Sequence, residues 1–327
     1  MLKSLLIFLI KVYIHTPFYN ALVNQNVKKA LDLRWYSQYR KWFNWDNPVD
    51  LNEKIVWLEG CSDTLDWTRL ADKYEVRQYV KEKGFADCLP ELYGVWDSVD
   101  DIDFDLLPDR FVIKCNHDCH SAIVVMDKST TDIKSIKRKI KKCLNTKFGY
   151  SNCEPHYTRI KPRVMVEELI ENSLPEISSS IVDYKIWCFG GKPYSIMTLH
   201  NRSHKSIQLD VYDINWIRHP DYCIYNEEFL DGNGEIPIPS SFEKMLELSS
   251  RLSEGFPEVR VDFYDVNGKV YFGEMTFTSG AGRMPYYTPA YLKKMGSMVS
   301  LKDTPHDASH LTREGTAKFS KIVRSVL

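Results

Sequence analysis

The residues that decide the fold are Arg260-Val-Asp-Phe-Tyr-Asp-Val-Asn-Gly-Lys-Val-Tyr-Phe-Gly-Glu-Met-Thr-Phe-Thr-Ser-Gly-Ala-Gly-Arg283. Two runs of strand-forming residues flank the dipeptide Asn267-Gly268, and this pattern predicts a β-hairpin. Successive side chains of a strand point to opposite faces of its sheet. One predicted face is apolar or small and belongs in a core: Val259, Val261, Phe263, Tyr271, Gly273, Met275 and Phe277. The opposite face collects the polar groups of Arg260, Asp262, Glu274 and Thr276.

The length of the hairpin loop decides whether Asp262 and Glu274 can act together. A two-residue loop would put the two carboxylates on opposite faces. A three-residue loop over 266–268, with Gly268 in the left-handed region, pairs Asp262 with Phe272. Glu274 then lies diagonally on the same face, roughly 7–8 Å from Asp262 between backbones. We predict the three-residue loop because it places the apolar residues on one face and the polar residues on the other. Two carboxylates on one face can hold a hard cation such as Mg²⁺. The alternative to a metal site is that Asp262 and Glu274 are two exposed acids on a solvated sheet face.

Short motifs occur in a fixed order along the chain: Asp-Lys (72–73), Val-Ile-Lys (112–114), Val-Glu-Glu (166–168), Tyr-Lys (184–185), Arg-Val-Asp (260–262) and Glu-Met-Thr (274–276). The series resembles the ATP-grasp enzymes and is most similar to their TupA-like branch, named for teichuronopeptide biosynthesis. The resemblance covers roughly residues 50–295. It implies an α+β ATP-grasp fold in which the nucleotide is held between two antiparallel sheets.

The resemblance also implies a role for each motif, with ATP and Mg²⁺ as cofactors. The metal ligands would be Asp262, Glu274 and Thr276, and Thr276 stands where relatives outside this branch commonly carry asparagine. The catalytic side chains, which act on the transferring phosphoryl group or the substrate, would be Arg260, Lys114 and Arg283. The nucleotide would be bound by Lys73, Lys114 and Lys185 at the phosphates, by Asp183 at the ribose hydroxyls, and by main-chain groups of Glu168 and Ile170 at the adenine edge.

The segment 115–122, Cys-Asn-His-Asp-Cys-His-Ser-Ala, departs from the resembled family. The corresponding phosphate-covering loop usually carries glycines, which allow close backbone approach, and this segment has none. An aspartate beside phosphates, here Asp118, is also unfavourable. The segment contains four residues of zinc-ligand type, Cys115, His117, Cys119 and His120. Their spacing matches no two-knuckle pattern, so we favour a phosphate loop over a zinc site.

Length and composition are those of an ordinary globular protein, with 327 residues, 43% hydrophobic and 27% charged. The length suits two or three joined subdomains. We expect an N-terminal region (1–105), a central subdomain with the phosphate loop (106–168) and a C-terminal subdomain with the metal site (169–327). The net charge of −1 provides no basic field for a nucleic acid. Eight cysteines without a CxxC pair suit a reducing cytosol.

The N-terminal region begins with the most apolar run of the chain, residues 2–14. Lys11 interrupts this run and Pro17 follows it, so it is too short to span a bilayer. No small-residue cleavage site of a signal peptide follows it either. Two interpretations stay open: peripheral contact of residues 1–14 with the cytoplasmic membrane face, aided by Lys3 and Lys11, or a helix packed on the protein's own core. The aromatic-rich stretch 28–57 predicts packed helices.

The function implied by the resemblance is an ATP- and Mg²⁺-dependent carboxylate–amine ligase of the cytoplasm, working through an acyl phosphate. The family context is bacterial surface-polysaccharide biosynthesis (capsule, O-antigen or teichuronopeptide-like). The substrates would be a uronic acid or other carboxylate and an amino acid or other amine. One alternative is a glycosyltransferase, whose Asp-x-Asp signature occurs at 101–103 and 103–105 in an acidic loop without a preceding apolar strand. The other is a non-catalytic nucleotide-binding protein, consistent with the glycine-free segment.

Overall fold

Two β-sheets form the framework of the computed structural model, which describes residues 2–119 and 121–302. Within those residues the strands are β1 (Leu92–Trp96), β2 (Phe111–Cys115), β3 (Ile123–Val125), β4 (Val164–Glu167), β5 (Asp183–Phe189), β6 (Lys192–His200), β7 (Ile207–Asp213), β8 (Phe229–Asp231), β9 (Glu258–Val266) and β10 (Lys269–Thr276). The first sheet is antiparallel, in the order β1-β4-β2-β3. The second has the order β10-β9-β5-β6-β7-β8. Its β7–β8 pair at one edge is parallel, and its other strand pairs are antiparallel.

The helices of the described chain are α1 (Leu2–Tyr13), α2 (Pro17–Gln25), α3 (Val27–Tyr39), α4 (Leu51–Cys61), α5 (Leu65–Ala71), α6 (Val76–Glu82), α7 (Ile133–Leu144), α8 (Pro155–Thr158), α9 (Phe242–Leu252) and α10 (Pro289–Met298). Helix α7 buries Ile136 and Ile140 in the core of the first sheet. Helix α9 buries Met245 and Leu248 in the core of the second sheet. Each sheet thus has one face covered by a helix, and the predicted α+β class is confirmed.

The N-terminal helices build a third core, and the predicted helical, aromatic-rich region is confirmed. Trp35 of α3 meets Phe43 edge to face, with ring centroids 5.0 Å apart, an arrangement that aromatic pairs favour. Helix α4 begins at a capping box formed by Asp50 and Glu53, which satisfies amides at the start of the helix. Val56 of α4 belongs to the N-terminal core, whereas Ile55 belongs to the core of the second sheet. Helix α4 therefore joins the N-terminal region to the second sheet.

The β9–β10 hairpin differs from the sequence prediction in its loop. Lys269 pairs with Val266, so the loop has two residues, and Asn267 (φ 52°) and Gly268 (φ 87°) both adopt left-handed backbone. The three-residue loop was therefore wrong. The Asn-Gly dipeptide suits this tighter turn because both of its central residues need positive φ.

A β-bulge restores the register that the shorter loop would have shifted. Phe272 pairs with Phe263, Gly273 is the extra residue, and Glu274 then lies directly opposite Asp262. A bulge adds one residue to one strand and so reverses the facing of every later side chain. The two carboxylates consequently share a face. A Cβ on Gly273 would lie 3.0 Å from the Asp262 carbonyl oxygen, so glycine suits the bulge.

The bulge also corrects the predicted core face of β10. Before it, Val270 and Phe272 pack into the core of the second sheet. After it, Met275 and Phe277 do so. Tyr271, which was predicted to face the core, instead donates its hydroxyl hydrogen to Glu168 Oε1 at 3.2 Å. The prediction was wrong for Tyr271 and Gly273 because simple alternation does not survive a bulge.

Candidate nucleotide and metal site

Arg260 lies at the centre of a buried ion-pair cluster on β9 and β10. Its Nε donates to Asp262 Oδ1 and its Nη2 to Asp262 Oδ2, each at 2.7 Å. Nη2 also lies 3.2 Å from Glu274 Oε1 and 3.1 Å from the Thr276 hydroxyl. A bidentate arginine–carboxylate pair fixes both charge and orientation. Arg260 therefore holds together the three residues predicted to bind a metal.

Lys185 extends the cluster onto the neighbouring strand β5. It pairs directly with Asp262 in the β5–β9 register, and its ammonium group contacts the Asp262 carboxylate. The same ammonium lies 2.8 Å from Asp183 Oδ2. Burial would lower the pKa of Lys185, but Asp183 and Asp262 outweigh burial and raise that pKa. Lys185 is therefore a fixed positive charge beside the carboxylates.

Asp183 keeps one oxygen without a partner. Its Oδ1 is buried and makes no hydrogen bond to any residue in 2–119 or 121–302. Buried polar atoms in native proteins are normally hydrogen-bonded. This acceptor beside Lys185 is therefore available to a hydroxyl donor from a ligand.

Glu274 is the carboxylate of the cluster that reaches solvent, with 32% of its side chain exposed, against 2% for Asp262. Burial would raise the pKa of Glu274, but the charges of Lys73, Lys185 and Arg260 outweigh it and lower the pKa to about 2. Burial raises the pKa of Asp262 against the opposing effects of Arg260 and Lys185. Glu274 therefore carries its negative charge throughout the physiological pH range and is accessible to a cation.

Lys73 connects the cluster to the glycine-free segment. It lies between α5 and α6, where its amide donates to the Asn116 carbonyl at 3.1 Å and its ammonium group contacts the Asp118 carbonyl. The Asn116 side chain donates to Asp72 Oδ2 at 2.8 Å. The Asp118 carboxylate accepts from the Ser121 amide at 3.2 Å. Side-chain hydrogen bonds therefore hold this segment in place, and the Asp118 carboxylate is hydrogen-bonded to another residue of the same segment.

Lys114 lies at the end of β2, on the first sheet. Its ammonium group contacts the Glu167 carboxylate of the neighbouring strand β4. Arg77 Nη1 lies 3.8 Å from the other oxygen of Glu167. Lys114 thus has a carboxylate partner in this structure, from which it would have to turn to meet a phosphate.

The two residues predicted to border the adenine ring follow β4. The amide of Glu168 donates to the Glu91 carbonyl at 2.9 Å, so this donor is already used within the protein. The Glu168 side chain is also engaged, since Oε2 accepts from the Glu91 amide at 3.0 Å. The groups left for an adenine edge are the Glu168 carbonyl, which supplies an acceptor, and the Ile170 amide, which supplies a donor.

Three tyrosines that the sequence pattern did not indicate lie near the cluster. Burial raises the pKa of Tyr157, and the Glu274 charge adds to this effect. The Asp183 carboxylate and burial raise the pKa of Tyr264, and burial raises that of Tyr286. All three hydroxyls stay protonated at neutral pH. Tyr264 is two positions after Asp262 on the same strand, so alternation of the strand could have indicated it. Tyr157 and Tyr286 belong to other segments, and no local pattern connects them with the cluster.

Arg283 lies in a different group of side chains. Its Nη2 donates to Asn152 Oδ1 at 3.3 Å, and the same oxygen accepts from Arg34 Nη2 at 3.0 Å. Among the described residues no ion pair joins Arg283 to Asp262 or Glu274. The structure therefore brings together the predicted residues on β5, β9 and β10 and places Arg283 in a separate group with Asn152 and Arg34.

The donor set can be compared with what Mg²⁺ requires. Mg²⁺ binds one or two protein carboxylates and completes its shell with water and substrate phosphates. Glu274 fits because it is ionised and partly exposed. Asp262 would contribute only by giving up part of its pairing with Arg260 or Lys185. The residues fit an ion that arrives with a nucleotide.

No three His, Cys, Asp or Glu side chains in residues 2–119 and 121–302 are grouped to hold a metal ion alone. Of the zinc-type residues in the glycine-free segment, Cys115 is buried and Cys119 is exposed. His120 lies outside the described residues. The carboxylate pair on β9 and β10 remains the candidate metal site.

The described chain thus has two sheets, and one of them carries a carboxylate cluster paired with lysine and arginine. The model of the TupA-like ATP-grasp family matches residues 53–299, and the chain belongs to that family. No curated protein matches the sequence significantly. Family membership supports ATP-dependent carboxylate–amine ligation in general.

The chain also shows a weak likeness to several solved ligase structures. D-alanine–D-alanine ligase from Bacillus anthracis, complexed with ATP, is 17% identical, with 73% of this chain and 67% of that chain covered and a TM-score of 0.42. The corresponding ligase from Helicobacter pylori is 12% identical, with coverages of 85% and 70% and a TM-score of 0.40. Phosphoribosylamine–glycine ligase from Thermotoga maritima is 12% identical, with coverages of 64% and 48% and a TM-score of 0.38. The assignment of the chain rests on the family match.

Proposed function

We propose that this protein is an ATP- and Mg²⁺-dependent carboxylate–amine ligase of bacterial surface-polysaccharide biosynthesis. The observation that carries the proposal is the row of charges across three adjacent strands. Lys185, Asp262 and Glu274 lie side by side in register, and Arg260 bonds both carboxylates. Such a row supplies carboxylates for a cation and cations for phosphate within one site. Phosphoryl transfer requires both.

The nucleotide would be bound by groups on both sheets. The unpartnered Oδ1 of Asp183 suits a ribose hydroxyl, and Lys185 beside it suits a phosphate. Lys73 and Lys114 would add charge at the phosphates from the side of the first sheet. The Glu168 carbonyl and the main chain of Ile170 would bind the adenine edge.

Mg²⁺ would be held by Glu274 and Asp262, with Thr276 as a further oxygen donor, and would neutralise phosphate charge when bound. In the first step the substrate carboxylate oxygen attacks the γ-phosphorus and ADP leaves. Arg260 would stabilise the phosphoryl oxygens during this transfer. In the second step the amine attacks the carbonyl carbon and a C–N bond forms. The bond between this carbon and the phosphate oxygen breaks, inorganic phosphate leaves, and the amine proton passes to solvent.

A uronic acid would supply the carboxylate and an amino acid or other amine the nitrogen, in the cytoplasm. This choice follows the family's name and its link to teichuronopeptide biosynthesis. A second candidate, a nucleotide-binding protein without turnover, is favoured by the glycine-free segment that Asn116 and Asp118 bond in place.

The function is tested by incubating the protein with ATP, Mg²⁺, glucuronic acid and mixed amino acids. We expect an amide product that forms together with ADP. Consumption of a sugar nucleotide with transfer of its sugar would favour the glycosyltransferase instead. Nucleotide binding without turnover under any substrate pair would favour the second candidate.

Lys114→Ala is expected to weaken nucleotide binding while the fold is kept. A hydrogen bond to a charged group contributes about 1.5–3 kcal/mol, so the Kd of a non-hydrolysable ATP analogue should rise roughly tenfold to a hundredfold. Calorimetric titration measures this change. Lys141→Ala removes an exposed lysine that pairs with Asp100 and serves as the control. Equal Kd values for the two variants would show that Lys114 does not contact phosphate.

We further propose that helix α1 contacts the cytoplasmic membrane face peripherally. Ile10 and Ile14 are buried in the N-terminal core, so one side of this segment packs on the protein. Its other side exposes large apolar residues: Leu5, Phe8, Leu9 and Val12. The interpretation of a self-packed helix applies to the buried side, and membrane contact is proposed for the exposed side; Met1 and the side chains of Leu2 and Lys3 lie outside the described part. No single described helix is long and apolar enough to cross a membrane, while α1 and α2 together, bent by 84°, pass that test by length and composition.

Flotation with anionic liposomes tests this contact. The wild-type chain should float with the vesicles, because apolar side chains enter the interface and Lys11 is attracted to anionic lipid. The double variant with Phe8→Ser and Leu9→Ser should stay at the bottom of the flotation gradient. Leu106→Ser, which removes another highly exposed leucine, should float like the wild type. A wild-type chain that does not float would contradict membrane contact.

A further inference from the structure

Two guanidinium groups meet at one amide oxygen of the protein. Arg34 of α3 and Arg283, which follows the glycine-rich turn, both donate to Asn152 Oδ1, at 3.0 and 3.3 Å. All three side chains are partly buried and partly accessible. Arg34 lies outside the part of the chain that matches the family model. The pair therefore combines a residue of the family core with one from the N-terminal helices.

The two positive charges lack a direct counter-charge. No carboxylate lies within 4 Å of either guanidinium among residues 2–119 and 121–302. The Nε of Arg34 is buried and has no hydrogen-bond partner there. Burial, and then the charge of Arg283, lower the pKa of Arg34. Like charges held together in a partly dry site favour binding of an anion.

The nearest acids are engaged or fully buried. Glu154 Oε1 accepts from the Thr278 hydroxyl at 2.7 Å, and burial raises the pKa of Glu154. Glu59 is buried, and burial raises its pKa well above the usual value. Burial also raises the pKa of Glu258. These groups share the interior with the two arginines, but none of them forms an ion pair with Arg34 or Arg283 in the described chain.

The backbone holds Arg283 in position. Gly282 has a left-handed φ of 66°, and a Cβ there would lie 2.7 Å from Val56 Cγ2 of α4. The amide of Met284, on the other side, donates to Asn52 Oδ1 at 3.0 Å. The turn that carries Arg283 is thus fixed on α4, whose packing also positions α3. Both guanidiniums are therefore preorganised, which reduces the entropy cost of binding a ligand.

The arginine pair is connected to the site where phosphoryl transfer is proposed. Ser279, at the start of the glycine-rich turn, accepts from Arg260 Nη1 at 3.0 Å. Thr278, the residue before it, bonds Glu154, which lies two positions after Asn152. A substrate whose reacting carboxylate or amine meets Arg260 could therefore extend a second anionic group towards Arg34 and Arg283.

We propose that Arg34 and Arg283 form a subsite for a non-reacting carboxylate or phosphate group of a substrate. The planar forks of two arginines suit the oxygens of either group. The inference rests on the proposed function, because it names the substrate end that such a ligase would hold. Arg34 would make the N-terminal helices a determinant of substrate choice.

The full chain is titrated with inorganic phosphate and, in a separate series, with glucuronate. A non-hydrolysable ATP analogue and Mg²⁺ are present in both titrations. Thermal stabilisation gives the affinity for each probe. Arg34→Gln should lose about tenfold to a hundredfold in affinity for the preferred probe. Arg34→Lys keeps the charge but lacks the planar guanidinium, so its affinity for the probe should lie between those of the wild type and Arg34→Gln. Arg34→Lys replaces Arg34→Gln in the test if Arg34→Gln does not fold. Lys41→Gln removes an exposed charge of the same region and should behave like the wild type.

The two probes separate the sources of the anion. Preference for phosphate indicates a phosphorylated substrate, and preference for glucuronate indicates a carboxylate; either result with loss in Arg34→Gln supports the subsite. Unchanged affinity for both probes in Arg34→Gln and Arg34→Lys overturns it. Affinity for the ATP analogue, measured on the same samples, tests the nucleotide site independently. A wild type that binds the anion but no analogue would therefore refute the proposed ligase and keep the subsite.

Discussion

Replacing Glu274 with glutamine is expected to reduce Mg²⁺-dependent turnover of ATP by roughly 100-fold or more. A metal ion supplies several kcal/mol of charge stabilisation in phosphoryl chemistry, and 1.36 kcal/mol corresponds to a tenfold change in rate. Glu274 is the ionised, partly exposed carboxylate of the pair, so its neutral isostere removes the most accessible metal ligand. The measurement is ADP release as a function of Mg²⁺ concentration. Glu247→Gln, which alters an exposed acid of α9 paired with Lys244, should retain the wild-type rate.

The same variant has a second signature in its stability at acid pH. The pKa of Glu274 in the folded protein is about 2, below its usual value of 4.5. A group with a lowered folded pKa stabilises the fold above its unfolded pKa, and this contribution is lost as pH falls through the folded value. The free energy of unfolding of Glu274→Gln should therefore fall less steeply than that of the wild type between about pH 4.5 and pH 2. Wild-type turnover together with a wild-type pH profile would remove Glu274 from the metal site.

Replacing Asp262 with asparagine is expected to destabilise the protein by roughly 3–5 kcal/mol, because breaking a buried ion pair leaves an uncompensated buried charge. Asp262 accepts two hydrogen bonds from Arg260 and contacts Lys185. Glu274 and Asp183 remain near these two cations, so part of the charge balance survives. Urea unfolding monitored by circular dichroism measures the loss.

A matched exposed aspartate calibrates that result. Asp100→Asn breaks a surface pair with Lys141 whose side chains are both about half exposed, and such pairs contribute about 0–1 kcal/mol. If Asp262→Asn costs no more than Asp100→Asn, the buried cluster does not hold Arg260 and Lys185 in place. The preorganised site on β9 would then have no energetic basis.

The pattern of residues 260–276 correctly predicted that the polar groups share one face of the sheet, but the predicted hairpin loop was not the cause. Alternation alone cannot reveal a bulge, because the extra residue at Gly273 changes the facing without changing the composition. A two-residue loop and a bulge together give the same parity as one three-residue loop. The sequence therefore predicted that Asp262 and Glu274 share a face, but not the facing of Tyr271.

Other parts of the site depend on contacts between distant segments. Burial and then the Glu274 charge raise the pKa of Tyr157 on α8, and Lys73 contacts the glycine-free segment from the turn before α6. Arg34 meets Asn152 across 118 positions of the chain. No spacing rule connects such residues, since only the packed sheets and helices bring them together. Motif order was enough to predict the family and fold, whereas the meeting of Arg34 and Arg283 at Asn152 is visible only in the structure.

The central claim is that ATP is used to make an acyl phosphate, and the nucleotide product tests it most directly. The protein is incubated with ATP, Mg²⁺, glucuronic acid and mixed amino acids, and the nucleotides are separated by anion-exchange chromatography. Acyl-phosphate chemistry releases ADP and phosphate, with one ADP for each amide formed. Release of AMP and pyrophosphate would contradict the account, because it would show that the carboxylate is activated by adenylation.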